Sequence, residues 1–120
     1  MKGSKKMKIA LPIAGDQLCM HFGHCERFDF FDVNPETKEI LKKESFTPPP
    51  HEPGLYPRLL GEKGAKIIIA GGMGPRAQEL FNQNGVNVVI GANSASGSPE
   101  DIVRLFLAGN LETGDNACDH

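Results

Sequence analysis

Three cysteines and four histidines occur in this 120-residue chain, and they fall in three places. Cys19, His21, His24 and Cys25 share one short stretch, Cys19-Met20-His21-Phe22-Gly23-His24-Cys25. His51 stands in a proline-rich turn, between Pro48-Pro49-Pro50 and Glu52-Pro53-Gly54. Cys118 and His120 close the chain as Cys118-Asp119-His120. Thiolate and imidazole together suit zinc, copper and iron–sulfur or related sulfido-metal chemistry. His21 and His24 are three apart with a cysteine on either side, so on a loop they can converge on one ion. That spacing is neither a Cys-x-x-Cys pair nor a zinc-finger spacing. Taken singly, Cys19 and Cys25 read equally well as small apolar fillers, because free cysteine is often buried. Phe22 reads as a core anchor and Gly23 as a turn residue. His51 reads as a ligand on a stiff loop or as a surface histidine, and Cys118 with His120 as a terminal chelate or a frayed end.

A second kind of chemistry is offered by glycine. The turn Gly71-Gly72-Met73-Gly74 separates an apolar run from Pro75, which suits a first helical residue. Backbone N–H groups at such a turn can face an anion, and the helix dipole adds favourable potential. Arg76 would add a charged donor in the first turn. The turn lacks the Gly-Lys-Ser/Thr of a P-loop and the G-x-G-x-x-G of a dinucleotide site, so it does not argue for a nucleotide. Ala92 to Gly97 forms a second small-residue loop before a helix start. The acids form no catalytic set: Asp29 and Asp32 sit on a phenylalanine-rich strand, and most acids read as solvating or capping groups.

The elements that must position these loops follow from hydrophobic periodicity. Met7–Ile13 reads as a first strand, with Pro12 near its end because proline cannot donate to a central ladder. Residues 14–24 read as the first ligand loop. Arg27–Val33 and Glu39–Phe46 read as a strand hairpin closed by the turn Asn34-Pro35-Glu36-Thr37. Leu55–Lys63 is expected as a short helix with Leu55, Leu59 and Leu60 on one face. Ala65–Ala70 and Val86–Ile90 are expected as buried strands. Between them lies a helix from Pro75, with Ala77, Leu80 and Phe81 inward and Gly85 as its cap. Ser98-Pro99-Glu100-Asp101 is a capping box opening a last helix that ends near Gly109. The plan β-β-β-α-β-α-β-α implies an antiparallel first half followed by two parallel strand–helix units.

Bulk properties bound the function. At 120 residues one domain is expected, and 39% hydrophobic content suffices for a core without disulfides. The domain is expected over residues 7–110, with a basic tail at 1–6 and a polar tail at 111–120. A net charge of −2 gives no electrostatic footprint for nucleic acid, and no basic stretch suits an anionic membrane. The longest apolar stretch, Ile67 to Met73, is far below the roughly 20 residues that span a bilayer. Three cysteines cannot all pair internally, and no secretory signal is visible. Reduced thiols and a cytoplasmic location are therefore expected.

The order of these features resembles the dinitrogenase iron–molybdenum cofactor biosynthesis family over roughly residues 7 to 110. The resemblance is carried by His21-Phe22-Gly23 after a first strand, the Phe-rich hairpin, His51-x-x-Gly54, and Gly71-Gly72-Met73-Gly74 before a helix. The terminal Cys118-Asp119-His120 resembles the stand-alone branch, which includes the orange protein of sulfate reducers. The resemblance implies a ribonuclease H-like α/β fold: a five-stranded mixed sheet with helices on its faces. It implies a non-catalytic protein that binds and carries or stores a metal–sulfur cluster, of molybdenum–copper sulfide or iron–molybdenum type, or an oxothiometallate precursor. Cofactor-assembly or ATPase proteins would be its partners. The positions that match the family are His21, Gly23, His51 and the Gly71–Gly74 turn, with Arg76 nearby. Cys19, His24 and Cys25 go beyond that core pattern and are candidate ligands of a softer ion such as copper. A zinc site built from Cys19, His21, His24, Cys25, Cys118 and His120 is the alternative. A ribonuclease H-like hydrolase is a third reading, disfavoured because the first strand carries no carboxylate for two-metal chemistry.

Overall fold

In the computed structural model, the described residues are 6–19, 25–49, 54–93, 97–111 and 113. Strands β1 (Met7–Ala14), β2 (Gln17–Leu18), β3 (Arg27–Asn34) and β4 (Glu39–Phe46) come first. They are followed by α1 (Leu55–Glu62), β5 (Ala65–Ile69), α2 (Pro75–Gln83), β6 (Asn87–Val89) and α3 (Pro99–Ala108). The main sheet runs β4-β3-β1-β5-β6, and β2 pairs with β1 off that path. β1 and β3 pair antiparallel, as do β3 and β4, whereas β1–β5 and β5–β6 are parallel. The result is a mixed sheet with helices on its faces.

Alternation of side chains builds two cores. Ala10, Phe28, Phe30, Ile68 and Ala70 face the helices α1 and α2, where Tyr56, Leu60, Met73 and Phe81 are also buried. Ile9, Leu11, Ile13, Phe31, Val33 and Ile69 face α3, where they meet Ile102 and Val103. Each large apolar side chain so buried is worth about 1.5–3 kcal/mol. α1 presents Tyr56, Pro57 and Leu60 as its buried residues, with Leu55 and Leu59 only partly covered. Its Gly61 lies against α2's end: a Cβ there would come within 2.9 Å of the Asn84 carbonyl oxygen. That close approach explains a glycine inside a helix. The capping box of α3 is formed, with Ser98 accepting from the Asp101 N–H and Asp101 accepting from the Ser98 N–H. Gly109 ends that helix in the left-handed conformation.

Two expectations change. Residues 14–24, read as loop, contain β2: Ile13 pairs with Leu18 and Ala14 with Gln17 around a turn at Gly15 and Asp16. Gly15 takes φ 65, a conformation glycine adopts at little cost, and Leu18 is buried. Among the described residues the sheet therefore has six strands rather than five. Pro12 sits in a central strand, yet it breaks no ladder. Parallel pairing of β1 with β5 is recorded only from Lys8 to Ala10, and Pro12 needs only its carbonyl, which accepts from the Cys19 N–H at 2.8 Å.

Candidate functional site

The loop Cys19–Cys25 leaves and rejoins the sheet at one end of β1. The Cys19 N–H donates to the Pro12 carbonyl at 2.8 Å, and the Glu26 N–H donates to the Ile13 carbonyl at 2.8 Å. Successive carbonyls of a strand point to opposite sides, so the two roots of the loop flank β1, about 10 Å apart by two strand spacings. Cys19 is buried, 6% exposed, and Cys25 is half-buried against the cluster that holds Tyr56 and Met73. Neither cysteine forms a disulfide among the described residues. Burial first, and then electrostatic repulsion from Cys19, push the Cys25 thiol up from 9.0 to about 12. Burial and the Cys25 charge raise the Tyr56 hydroxyl as well. Cys19, Cys25 and Tyr56 thus share one electrostatic neighbourhood.

The glycine turn reaches the same end of the sheet. Because β5 runs parallel to β1, with Ala10 beside Ile68, the residues after Ile69 extend toward the end where Cys19 and Glu26 are rooted. The turn is held from behind: Gly91 N–H donates to the Gly71 carbonyl at 3.0 Å, and the Gln78 side-chain amide donates to the Met73 carbonyl at 2.9 Å. Met73 is fully buried, and Gly71 and Gly72 are buried too. No acceptor among the described residues takes the N–H of Gly72 or of Gly74. Gly74 caps α2 in an extended conformation with open space where a side chain would be. Backbone N–H groups of a glycine turn that opens a helix suit an anion. Arg76 is exposed on the first turn of α2.

Tyr56 lies at this end as well: its ring meets Phe28 edge-on at 5.2 Å between centroids. His21, Gly23, His24, His51, Cys118 and His120 themselves lie outside the described residues. Among the described residues, no three His, Cys, Asp or Glu side chains gather into a metal-ligand set. A cleft of about 280 Å³ lies elsewhere, between Lys8, Phe30, Glu44, Phe46 and Lys63. Its two ammonium groups already lie over ring faces, Lys63 at 4.1 Å from the Phe46 centroid and Lys8 at 5.6 Å from that of Phe30. Cavity size alone therefore does not locate the chemistry.

One residue was misjudged from sequence. Asp29, read among solvating acids, is fully buried on the α3 face. Its Oδ1 accepts from Arg27 Nε at 3.2 Å and from Ser45 Oγ at 2.8 Å. Its Oδ2 lies 3.7 Å from Lys43 Nζ and has no hydrogen-bond partner among the described residues. The alternation Phe28-Asp29-Phe30 already put Asp29 on the face opposite Phe28 and Phe30, together with Arg27 two residues away. That pairing was the available signal.

The fold and the rim define a mixed α/β protein with loops of differing chemistry at the C-terminal ends of parallel strands, where such sheets bind ligands. The chain belongs to the dinitrogenase iron–molybdenum cofactor family, which it matches over residues 5–109. It is 36% identical over 114 residues to an uncharacterized protein of Methanocaldococcus jannaschii, MJ0580, covering 90% of this chain and 92% of that one. The crystal structure of PH0822 superposes with a TM-score of 0.83 at 30% identity, covering 95% of this chain and all of the other. The apo form of the orange protein from Desulfovibrio gigas superposes with a TM-score of 0.68 at 20% identity, over 95% and 98% of the two chains. This last likeness is one of fold.

Proposed function

We propose that this protein binds, and carries or stores, a metal–sulfur cluster or an oxothiometallate precursor, without catalysing a reaction on it. The observation that carries this reading is the placement, at one end of the sheet, of two cysteines and a glycine turn that opens a helix. A sulfidometallate is an anion with soft edges. Gly72 and Gly74 would donate to it, and Arg76 would add charge from the first turn of α2. Cys19 and Cys25 would hold a soft ion such as copper. His21, Gly23, His24, His51, Cys118 and His120 would complete the ligand set. The donor set fits such a cargo: acceptor sulfurs or oxygens for the amides, and a soft metal for the thiols. Family membership supports the molybdenum- or iron-type identity, and the two thiols support a soft ion such as copper. The strand order supports a ribonuclease H-like relationship. Cytoplasmic assembly or ATPase proteins complete this reading as donors or recipients. No helix among the described residues is long and apolar enough to cross a membrane.

The test is expression with molybdate, copper, iron and sulfide, followed by metal analysis and visible absorption of the purified protein. A coloured product with stoichiometric metal is expected, and a colourless, metal-free product overturns the proposal. A product holding only zinc, whose removal by chelator lowers the melting temperature, would instead favour a structural zinc site.

A further inference from the structure

Arg27 and Asp29 take no part in that ligand set, yet they sit at its foundation. β2 is two residues long and pairs only with β1, and so short a hairpin is marginal by itself. It nevertheless fixes where Cys19 begins its loop. What secures it is a grip on Gly15 from both sides. The Gly15 N–H donates to Glu26 Oε1 at 2.9 Å, and its carbonyl accepts from Arg27 Nη1 at 2.7 Å. Glu26 and Arg27 directly follow Cys25, so they belong to the far root of the same loop. Side chains from one root therefore hold the turn that supports the other. Arg27's guanidinium spans the Gly15 carbonyl and the Asp29 carboxylate. Burying a carboxylate on an apolar face is costly unless it is paired. Asp29, between Leu11 and Ser45 in the sheet, has its Oδ1 committed to Arg27 and Ser45.

We infer that Arg27 is a positioning residue for the Cys19 and Cys25 thiols, and that buried Asp29 exists to aim it. This rests on the reading of the rim as a soft-metal site, and it predicts that the separation of the two sulfurs is set by the Arg27–Gly15 contact.

Phenylarsine oxide tests the separation without any cluster. It forms two As–S bonds with two thiols, and its oxygen leaves as water with the two thiol protons. The full chain carrying Cys118→Ser would leave Cys19 and Cys25 as its only thiols. In that background Arg27→Met should weaken arsenical affinity about tenfold or more, the range seen when groups orienting a ligand are removed. The rate of single-thiol alkylation with iodoacetamide at pH 8 gives the reference for mere exposure. Arg27→Lys, which retains one donor for the Gly15 carbonyl, should recover part of the loss. Asp29→Asn should fall between the parent and Arg27→Met. Ile102→Val, a core change on α3 that touches neither loop root, should stay within about twofold of the parent, as expected for independent sites. Equal affinity in Arg27→Met and parent overturns the inference, as does an equal loss in Ile102→Val. A protein that acquires no cluster yet shows the arsenical pattern would sink the cargo reading and leave the positioning role standing.

Discussion

The two arms of the rim are built on opposite principles. The thiol arm is rooted by side chains: Glu26 and Arg27 grip Gly15, Asp29 holds Arg27, and Ser45 supports Asp29 from the next strand. The glycine arm carries almost no side chain of its own and is held by backbone bonds to Gly71 and a single amide from Gln78. The first arrangement fixes where soft ligands stand. The second presents glycine amides at the start of α2, which suit an approaching anion. Soft-metal affinity should therefore follow the charged network, and anion affinity should follow the small size of the turn.

Met73 is where the two arms touch the same core, and its substitution should have the largest effect. It is fully buried in the cluster against which Cys25 packs. Met73→Ala removes most of that side chain and leaves a cavity, at a cost of about 2–5 kcal/mol. Urea denaturation measures it. A loss below 1 kcal/mol would mean that the arms are anchored separately, which would break the comparison.

Proton linkage separates the arms next. An unfolded Cys25 thiol ionises near 9.0, whereas the folded one keeps its proton to about 12. A raised value in the folded state means stability fully present below pH 9 and lost as pH climbs toward 12. Urea midpoints at pH 8 and pH 10.5 should show that decline in the parent, and a flatter profile in Cys25→Ser. A soft metal bound by Cys25 must also displace this proton. Apparent affinity should therefore rise about tenfold per pH unit through neutral pH from this thiol alone. Anion binding at the glycine turn carries no such proton, so its affinity should lack that slope.

Most of the scaffold was legible because local signals and tertiary context agree. The apolar runs Ile9–Ile13 and Ile67–Ala70, the Asn34 turn and the Ser98–Asp101 capping box each satisfy themselves nearby. β2 was not legible: Gln17 and Leu18 become a strand only through pairing with Ala14 and Ile13. Asp29 was misread for the same reason, since Ser45 and Lys43 reach it from a neighbouring strand. The placement of Gly71–Gly74 at the rim followed from a strand–turn–helix reading, and Cys19 with Cys25 from ligand type.

The charged network has an outer member whose removal should matter little. Lys43 Nζ donates to Glu100 Oε2 at 2.8 Å and joins β4 to α3, but both side chains reach solvent. The hydrogen bond from Lys43 holds the Glu100 carboxyl below its ordinary 4.5. Its small contribution is therefore present above that pH and lost as pH falls through the lowered value. Glu100→Gln should cost about 0.2–1 kcal/mol at pH 7 and nothing in strong acid. A larger loss would show that Asp29 depends on Lys43 as well as on Arg27 and Ser45.

Gly74→Ala should change stability least and discriminate best. Alanine is a poorer N-cap than glycine, which disfavours the variant. Against this, the φ of −65 and ψ of 155 are comfortable for alanine, and a less flexible unfolded chain favours it. These opposing effects should cancel to within about 0.5 kcal/mol in denaturant titration. The added methyl meets no protein atom within 4 Å, so it projects into the space in front of the turn. If that space receives the anion, binding of tetrathiomolybdate should weaken several-fold while arsenical affinity at Cys19 and Cys25 stays unchanged. Loss of both affinities together would mean that the two arms act as one ligand set, and the division of labour between them would have to be abandoned.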